Sequence, residues 1–308
     1  MPATPLSKAR FEALCYSRTP SVEMISEEHE WWANSEEKNL GIVIFEHPDQ
    51  QWFWILLGRD ERGVFRCVDM NHSIETQDKA SSELQEKLVE WEVRPEEDSF
   101  QGDVTTKKNE IFKVQVAESK LNPIFKILTE DESYSSARGL IKELAFAFTD
   151  LDGNYIKDFQ TTGLNARLWE LYLFAFLYEQ RFTITDEFDR PDFGAVIQGF
   201  PIAIEATTVN PTEGVEAPNP KTPEERRELL NDYMPIKFGS ALFSKLKKRY
   251  WELPHMQGAP LIIAIHDFHS EDSMTWTSTA LHEYLYACLL YTSPSPRDQR
   301  GSRMPSSA

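Results

Sequence analysis

Three carboxylates stand out in this sequence because most of their neighbours are apolar. Glu170 lies within LWELYLFAFLYE, Asp192 follows a proline in RPDF, and Glu205 lies in the middle of FPIAIEATTVNP. Burying an isolated carboxylate costs several kcal/mol unless the charge is paired or neutralised. Either each acid has a cation or hydrogen-bond donor of its own, or the three acids converge on one divalent cation.

Each acid also has a purely structural interpretation. On that interpretation Glu170 pairs with Arg167 or a backbone donor, Asp192 is a turn residue after its proline, and Glu205 faces solvent from an edge strand. These interpretations stay open for each residue taken alone. The occurrence of all three acids in this order, within apolar segments, favours a shared site.

The hydrophobic pattern predicts the elements that carry these acids. Residues 164–180 predict a helix, and from Leu168 to Tyr178 it is apolar on nearly all sides, which is typical of a buried helix. The segment RFTITDEFDRPDFGAVIQGFPIAIEATTVNP is rich in β-branched residues and predicts strands separated by turns. The pattern therefore places Glu170 on a helix, Asp192 at a strand edge and Glu205 on a buried strand.

Further elements follow along the chain. PEERRELLNDY predicts a helix, with Thr222 as its N-cap and Pro223 at its first position. A second helix, a buried strand and a final helix are predicted for GSALFSKLKKRYWEL, APLIIAIHDFH and TSTALHEYLYA.

The end of that strand carries side chains that resemble metal ligands. His266, Asp267 and His269 follow each other closely in IHDFH. They come directly after an apolar strand, where polar residues normally reappear. A surface loop is therefore predicted for them.

The order helix-Glu, Pro-Asp, strand-Glu resembles that of the PD-(D/E)XK nuclease superfamily. The residues that carry the resemblance are Glu170, the literal Pro191-Asp192 and Glu205, and the basic helix and the strand PLIIAI continue the αβββαβ order of that core. The resemblance implies an α/β fold with a restriction-endonuclease-like mixed sheet flanked by helices. It also implies a DNA endonuclease that hydrolyses phosphodiesters, in which the three acids bind Mg²⁺ or Mn²⁺ beside the scissile phosphate.

One position departs from the superfamily's pattern. The motif lysine is replaced by Thr207, which shares the strand face of Glu205 and can hydrogen-bond a water but carries no charge. Lys245, at the border of the apolar stripe of its helix, is the predicted substitute. The alternative is that its ammonium simply extends into water. A basic edge that contacts phosphate is predicted from Lys247, Lys248 and Arg249.

The N-terminal part predicts a separate, smaller α+β domain. Three strand-like runs lie within residues 40–70, and Gly63 can adopt the positive φ of a hairpin between the last two. Apolar residues at helical spacing between Ala80 and Trp91 then predict a helix across one face of that sheet. The predicted organisation is an N-terminal segment, a small domain, a linker, the nuclease-like domain and a disordered tail, at residues 1–37, 38–95, 96–125, 126–287 and 288–308.

Composition limits the class of protein. The chain has 32 basic and 50 acidic residues, for a net charge of −18, which argues against a surface that coats DNA or membranes in general. No run of about 18 apolar residues and no signal-peptide core occur, and the three cysteines lack C-x-x-C spacing. A cytoplasmic protein is expected, with the acidity of the N-terminal domain favouring a protein partner there.

Two other functions stay open at this point. The missing motif lysine at Thr207 fits an inactive nuclease-like binding module. The third possibility is a protein-interaction protein of unrelated fold, in which the acids are paired internally.

The last residues of the chain differ from the rest. LLYTSPSPRDQRGSRMPSSA has no apolar periodicity and resembles the translated read-through of a sequencing adapter. We therefore expect that a chain ending at Ala287 has the same melting temperature as the full chain. A decrease of several degrees in a thermal melt would show that the tail packs on the core.

Overall fold

The computed structural model describes residues 2–18, 20–104, 108–150, 153–185, 187–212 and 214–286 of the 308. The fold is mixed α/β, and the chain forms two compact units. The first unit comprises the chain up to residue 189 together with 195–199, and the second comprises 190–194 and the chain from residue 200. These units do not coincide with the predicted segments, and the predicted tail lies outside the described residues.

The first unit opens with a five-stranded antiparallel sheet in the order β1-β2-β3-β4-β5. Its elements in chain order are β1 (Thr4–Leu6), α1 (Lys8–Glu12), β2 (Ser26–Ala33), β3 (Asn39–Glu46), β4 (Gln51–Arg59), β5 (Phe65–Ile74) and α2 (Gln77–Glu92). The three predicted strands and the helix are confirmed, as is the positive φ of Gly63, at 89°. The sequence missed β1 and β2, which lie in the predicted N-terminal segment.

Helix α2 covers one face of this sheet. Its apolar residues recur every three to four positions and pack on Val43, Trp54 and Leu56, which alternate with side chains of the opposite face. The approach is close at Gly41, where an added Cβ atom would lie 2.6 Å from Cδ1 of Leu84. The opposite face packs around Phe11 of α1.

The rest of the first unit is mainly helical. It contains α3 (Pro123–Glu130), α4 (Ser135–Ala147), α5 (Tyr155–Gln160), α6 (Leu164–Glu179) and the short strand β6 (Thr183–Thr185). Helix α6 matches the predicted helix, but Tyr172 and Phe176 are exposed, so it is not buried on all sides.

Part of the predicted linker belongs to the helical core. Ile111 is buried and packs with α3, α4 and α6. The amide of Gln160 donates hydrogen bonds to the carbonyl oxygens of Ile111 and Lys113, at 3.1 and 2.8 Å. The polar composition of residues 96–125 gave no sign that Ile111 is buried or that Gln160 forms hydrogen bonds with the backbone of this segment.

The second unit is built around a parallel strand pair. After β7 (Phe193–Ile197), which the unit boundary divides, come β8 (Phe200–Val209), α7 (Pro223–Asp232), α8 (Met234–Leu246), β9 (Leu261–Asp267), α9 (Ser273–Trp276) and α10 (Ala280–Leu285). β8 and β9 pair in parallel from Ala203–Leu261 to Val209–Asp267. The predicted Thr222 cap is confirmed, since its side chain and Glu225 form a reciprocal capping box.

Helix α8 differs from its prediction at the C-terminal end. The apolar spacing predicted one helix through Leu253, but α8 ends at Leu246 and Arg249 adopts a left-handed conformation, with φ at 51°. A 3₁₀ turn then holds Tyr250 to Glu252. The basic run 247–249 therefore lies in the turn after α8, not on its surface.

Among the described residues, no helix combines the length and the apolar character needed to cross a membrane.

The packing of α2 gives a stability prediction. Leu84→Ala is expected to lower the free energy of unfolding by about 2–5 kcal/mol, because it leaves a cavity between α2 and β3. Val89→Ala on the exposed side of α2 is the matched control and is expected to change it by about 0.5 kcal/mol or less. Urea unfolding followed by tryptophan fluorescence measures both, and equal losses would contradict the packing described.

Candidate catalytic carboxylate site

Strand β8 holds Glu205 inside the second unit. Only 2% of its side chain is exposed, so the edge-strand interpretation is wrong. Thr207 follows on the same face and is also buried. The carboxylate therefore requires a partner inside the protein.

Helix α8 supplies that partner. Met234 near its start packs with Val209 at the end of β8, in one core cluster. The end of the helix, at Lys245, contacts Glu205, which lies four residues before Val209. The helix rises about 16 Å between its two contact points, and β8 spans about 13 Å between the same two points. The two elements therefore run antiparallel, and the last turn of α8 lies over the middle of β8.

The Lys245 ammonium reaches the Glu205 carboxylate directly. Its Nζ atom lies 2.5 Å from Glu205 Oε1, and 19% of the lysine side chain is exposed. The Lys248 ammonium lies 3.9 Å from the same oxygen. Lys245, the predicted substitute for the motif lysine, thus lies beside the strand acid, and its catalytic role stays a prediction. The alternative of an ammonium that simply extends into water is wrong.

Asp192 joins this pair from the segment before β7. Its Oδ2 atom accepts a hydrogen bond of 2.7 Å from the backbone N–H of Ala206. Partial burial, followed by repulsion from Glu205, raises the pKa of Asp192 to about 6, against the opposing effect of Lys245. The residue still keeps contact with solvent. It is therefore both accessible and incompletely neutralised.

Tyr250 completes the site and was missed in the sequence. Its hydroxyl forms a hydrogen bond with Glu205, and burial followed by the charge of Glu205 raises its pKa to about 12. The phenol therefore stays protonated and donates to the carboxylate at neutral pH. The only sequence signal was its place after the basic run, and the predicted continuous helix concealed it.

The remaining basic residues are placed differently from one another. Lys247 extends over the ring of Phe243, 5.2 Å from its centroid, and Arg249 pairs with Glu252. Of the three residues predicted to contact phosphate, Lys248 is thus the one that an ion pair links to Glu205.

Glu170 lies in the first unit, in α6. Its Oε2 atom accepts a hydrogen bond of 3.0 Å from Arg167, which also pairs with Asp158 at 2.7 Å. The structural partner considered for Glu170 is thus present. Its role as a third ligand stays a prediction.

The acid pair fits a small, hard cation. Across the described ranges, no group of three or more His, Cys, Asp or Glu side chains is arranged to hold a metal ion. Mg²⁺, however, is commonly bound by one or two carboxylates, with waters and substrate phosphates completing its shell. The raised pKa of Asp192 indicates that the local cations leave its negative charge incompletely compensated. Asp192 and Glu205 are therefore the residues that would hold such an ion.

The predicted surface loop is wrong for Asp267 and His269, since His266 and Asp267 lie within β9 and His269 follows it closely. Asp267 and His269 are buried, and His269 Nδ1 lies 2.8 Å from Asp267 Oδ1. Thr277 donates to Asp267 Oδ2 at 2.7 Å, and the Ser273 hydroxyl donates to the Asp267 carbonyl oxygen at 2.9 Å. These bonds satisfy the buried polar groups where α9 and the turn after it fold over the end of β9.

Comparison of the chain with known protein families, with curated proteins and with solved structures finds no match.

The raised pKa of Asp192 predicts the pH dependence of stability. The folded protein holds this proton more tightly than the unfolded chain, so the ionised carboxylate destabilises the fold as pH rises from about 4 through about 6. Asp192→Asn keeps an acceptor for Ala206 N–H and removes the charge. In the presence of a chelator, this variant is expected to have a free energy of unfolding at pH 7.5 that is higher than the wild type's by about 1 kcal/mol, a value that allows for solvent screening.

Thermal melts at pH 4.5 and 7.5 measure this effect. The advantage of the variant should be small at pH 4.5 and largest at pH 7.5. A variant that is less stable than the wild type at pH 7.5 would show that Asp192 is fully neutralised by its surroundings.

Proposed function

We propose that this protein is a divalent-metal-dependent endonuclease that hydrolyses phosphodiester bonds in DNA. The observation that carries the proposal is the convergence of Asp192, Glu205 and the Lys245 ammonium in one unit. Two acids and one cation are the groups needed to hold a metal and to stabilise negative charge on a phosphate.

The order of elements supports the same proposal. α6, β6, β7, β8, the helices α7 and α8, and β9 follow each other as helix, three strands, helices and strand. This order, with β9 parallel to β8, agrees with the core of a restriction-endonuclease-like fold. Asp192 and Glu205 lie at the positions of the two strand-associated acids in the PD-(D/E)XK pattern.

The chemistry divides between the cation and the side chains. In phosphodiester hydrolysis a water oxygen bonds to phosphorus, the ester P–O bond breaks, and the leaving oxygen takes a proton. A divalent cation supplies a Lewis acid that neutralises the phosphate charge. Asp192 and Glu205 would hold that cation, with the backbone N–H of Ala206 orienting Asp192.

Lys245 takes the role that the motif lysine has in the superfamily. Its ammonium comes from α8 to the carboxylate that lies two residues before Thr207. A permanent positive charge at this place can stabilise the charge that develops on the phosphate oxygens. Lys248, half exposed and near the same carboxylate, can contact the phosphate backbone.

A second function is favoured by two specific observations. The direct Lys245–Glu205 ion pair already neutralises the strand acid, and Thr207 leaves its own strand position without a cation. Both features fit a nuclease-like module that binds DNA without cleaving it. Cleavage and metal binding, measured separately, distinguish the two functions.

Supercoiled circular DNA is the substrate that tests the proposal, because it has no ends and only an endonuclease can open it. We expect Mn²⁺-dependent conversion to nicked or linear DNA by the full chain, and no cleavage in a chelator. Asp192→Asn should abolish cleavage and weaken Mn²⁺ binding without unfolding the protein. Lys237→Ala, on the same helix but hydrogen-bonded to the Asn210 carbonyl oxygen, is the matched control and should keep most of the activity.

Lys245 needs a test that separates chemistry from stability. Lys245→Ala removes the ion-pair partner of a buried carboxylate, and it is expected to cost about 3 kcal/mol as well as cleavage. Lys245→Met combined with Glu205→Gln replaces both charges with similar shapes and should recover the melting temperature but not the activity. DNA binding without cleavage by the wild type, with activity gained in Thr207→Lys, would instead establish the inactive module.

A further inference from the structure

A cavity of about 440 Å³ lies in the first unit between the β2–β3 turn, α2 and α4. Six cationic side chains line it, those of Arg10, Lys38, Arg59, Arg94, Lys108 and Lys142. Only four acids do so, although acids outnumber bases by 50 to 32 in the whole chain. The charge balance of this cavity is therefore the reverse of the protein's own.

Three of these cations surround one aromatic ring. The Arg59 Cζ, Lys108 Nζ and Lys142 Nζ atoms lie 5.7, 4.9 and 5.7 Å from the centroid of Phe146. Cation–π attraction contributes about 0.5–1 kcal/mol at such partly exposed positions. This is a weak compensation for holding three like charges around a single ring.

The three charges are unequally neutralised. Arg59 forms a bidentate pair with Glu143, at 2.8 and 2.9 Å. Lys108 lies 3.8 Å from Glu96, beyond hydrogen-bond distance, and in the described part of the chain Lys142 has no carboxylate within ion-pair distance. Among the described residues, neither ammonium group beside Phe146 has a hydrogen-bonded anion, although Lys108 keeps its ion pair with Glu96.

We propose that this cavity binds a small anion that carries a phosphate group, held between Lys108 and Lys142. A phosphate dianion can pair with Lys142 and with Lys108, whose only ion pair among the described residues is the one to Glu96 at 3.8 Å, and lysine is a common phosphate ligand. The cavity volume lies within the range of about 300–1,000 Å³ that small-ligand sites have. The phosphate can come from an inorganic anion or from a nucleotide. An aromatic side chain, Trp91, also lines the cavity, and the Cζ atom of Arg94 lies 4.4 Å from the centroid of its ring.

Titration calorimetry of the full chain in a chelator tests this site. Chelation keeps the titration free of metal-bridged binding at the acid pair, so the result is independent of the proposed nuclease activity. Pyrophosphate and ATP are the two probes, and each should bind saturably at constant ionic strength. Tighter binding of ATP would identify a nucleotide as the source of the phosphate, and equal binding would identify the inorganic anion.

Charge variants locate the binding. Lys108→Ala and Lys142→Ala should each weaken binding about tenfold or more, because each removes a charge-assisted hydrogen bond. Lys142→Arg should recover most of the affinity. Lys126→Ala is the matched control, since Lys126 and Lys108 have the same exposed fraction, 37%, and Lys126 does not line the cavity.

Melting temperatures of the free alanine variants should equal or exceed that of the wild type, since each removes one of several like charges, whereas a structural role for the lysine would lower them. The proposal fails if neither probe binds saturably, or if Lys108→Ala and Lys142→Ala bind as tightly as Lys126→Ala.

Discussion

The Glu205 carboxylate lies in the middle of β8, almost completely removed from solvent, and this burial sets the requirements for the elements around it. A buried charge must meet an opposite charge or hydrogen-bond donors, since leaving it alone costs several kcal/mol. Lys245 and Tyr250 meet that requirement from α8 and from the turn that follows it. The position of α8 over β8, and the end of the helix at Leu246, thus both serve one carboxylate.

Asp192 adds a second charge that these groups compensate only in part. Its pKa of about 6 results from burial and from the nearby Glu205, with Lys245 acting in the opposite direction. Such a pair of carboxylates destabilises the free protein and favours any cation that can bind both. This is the physical basis for the proposed metal-dependent chemistry.

The first unit shows the opposite imbalance, with cations in excess around Phe146. In a chain of net charge −18, solubility does not require a local excess of lysines. Like charges held close together lower stability unless a ligand of opposite charge relieves them. In each unit, charges that the protein compensates only in part would attract a ligand of opposite charge: a cation at Asp192 and an anion beside Phe146.

The sequence by itself determined the elements whose hydrophobic period is regular. β3, β4, β5, α2, α6, α7 and β8 all follow from alternation, helical spacing or a capping residue, because these signals are local. It also identified Glu205 and Lys245, since a charge within or beside an apolar stripe is visible in one dimension. Tertiary structure alone decided that Lys245 contacts Glu205, that Tyr250 joins them and that Asp267 and His269 are buried. These facts depend on where α8 ends and on which elements cover β8 and β9, and such long-range packing has no local signature.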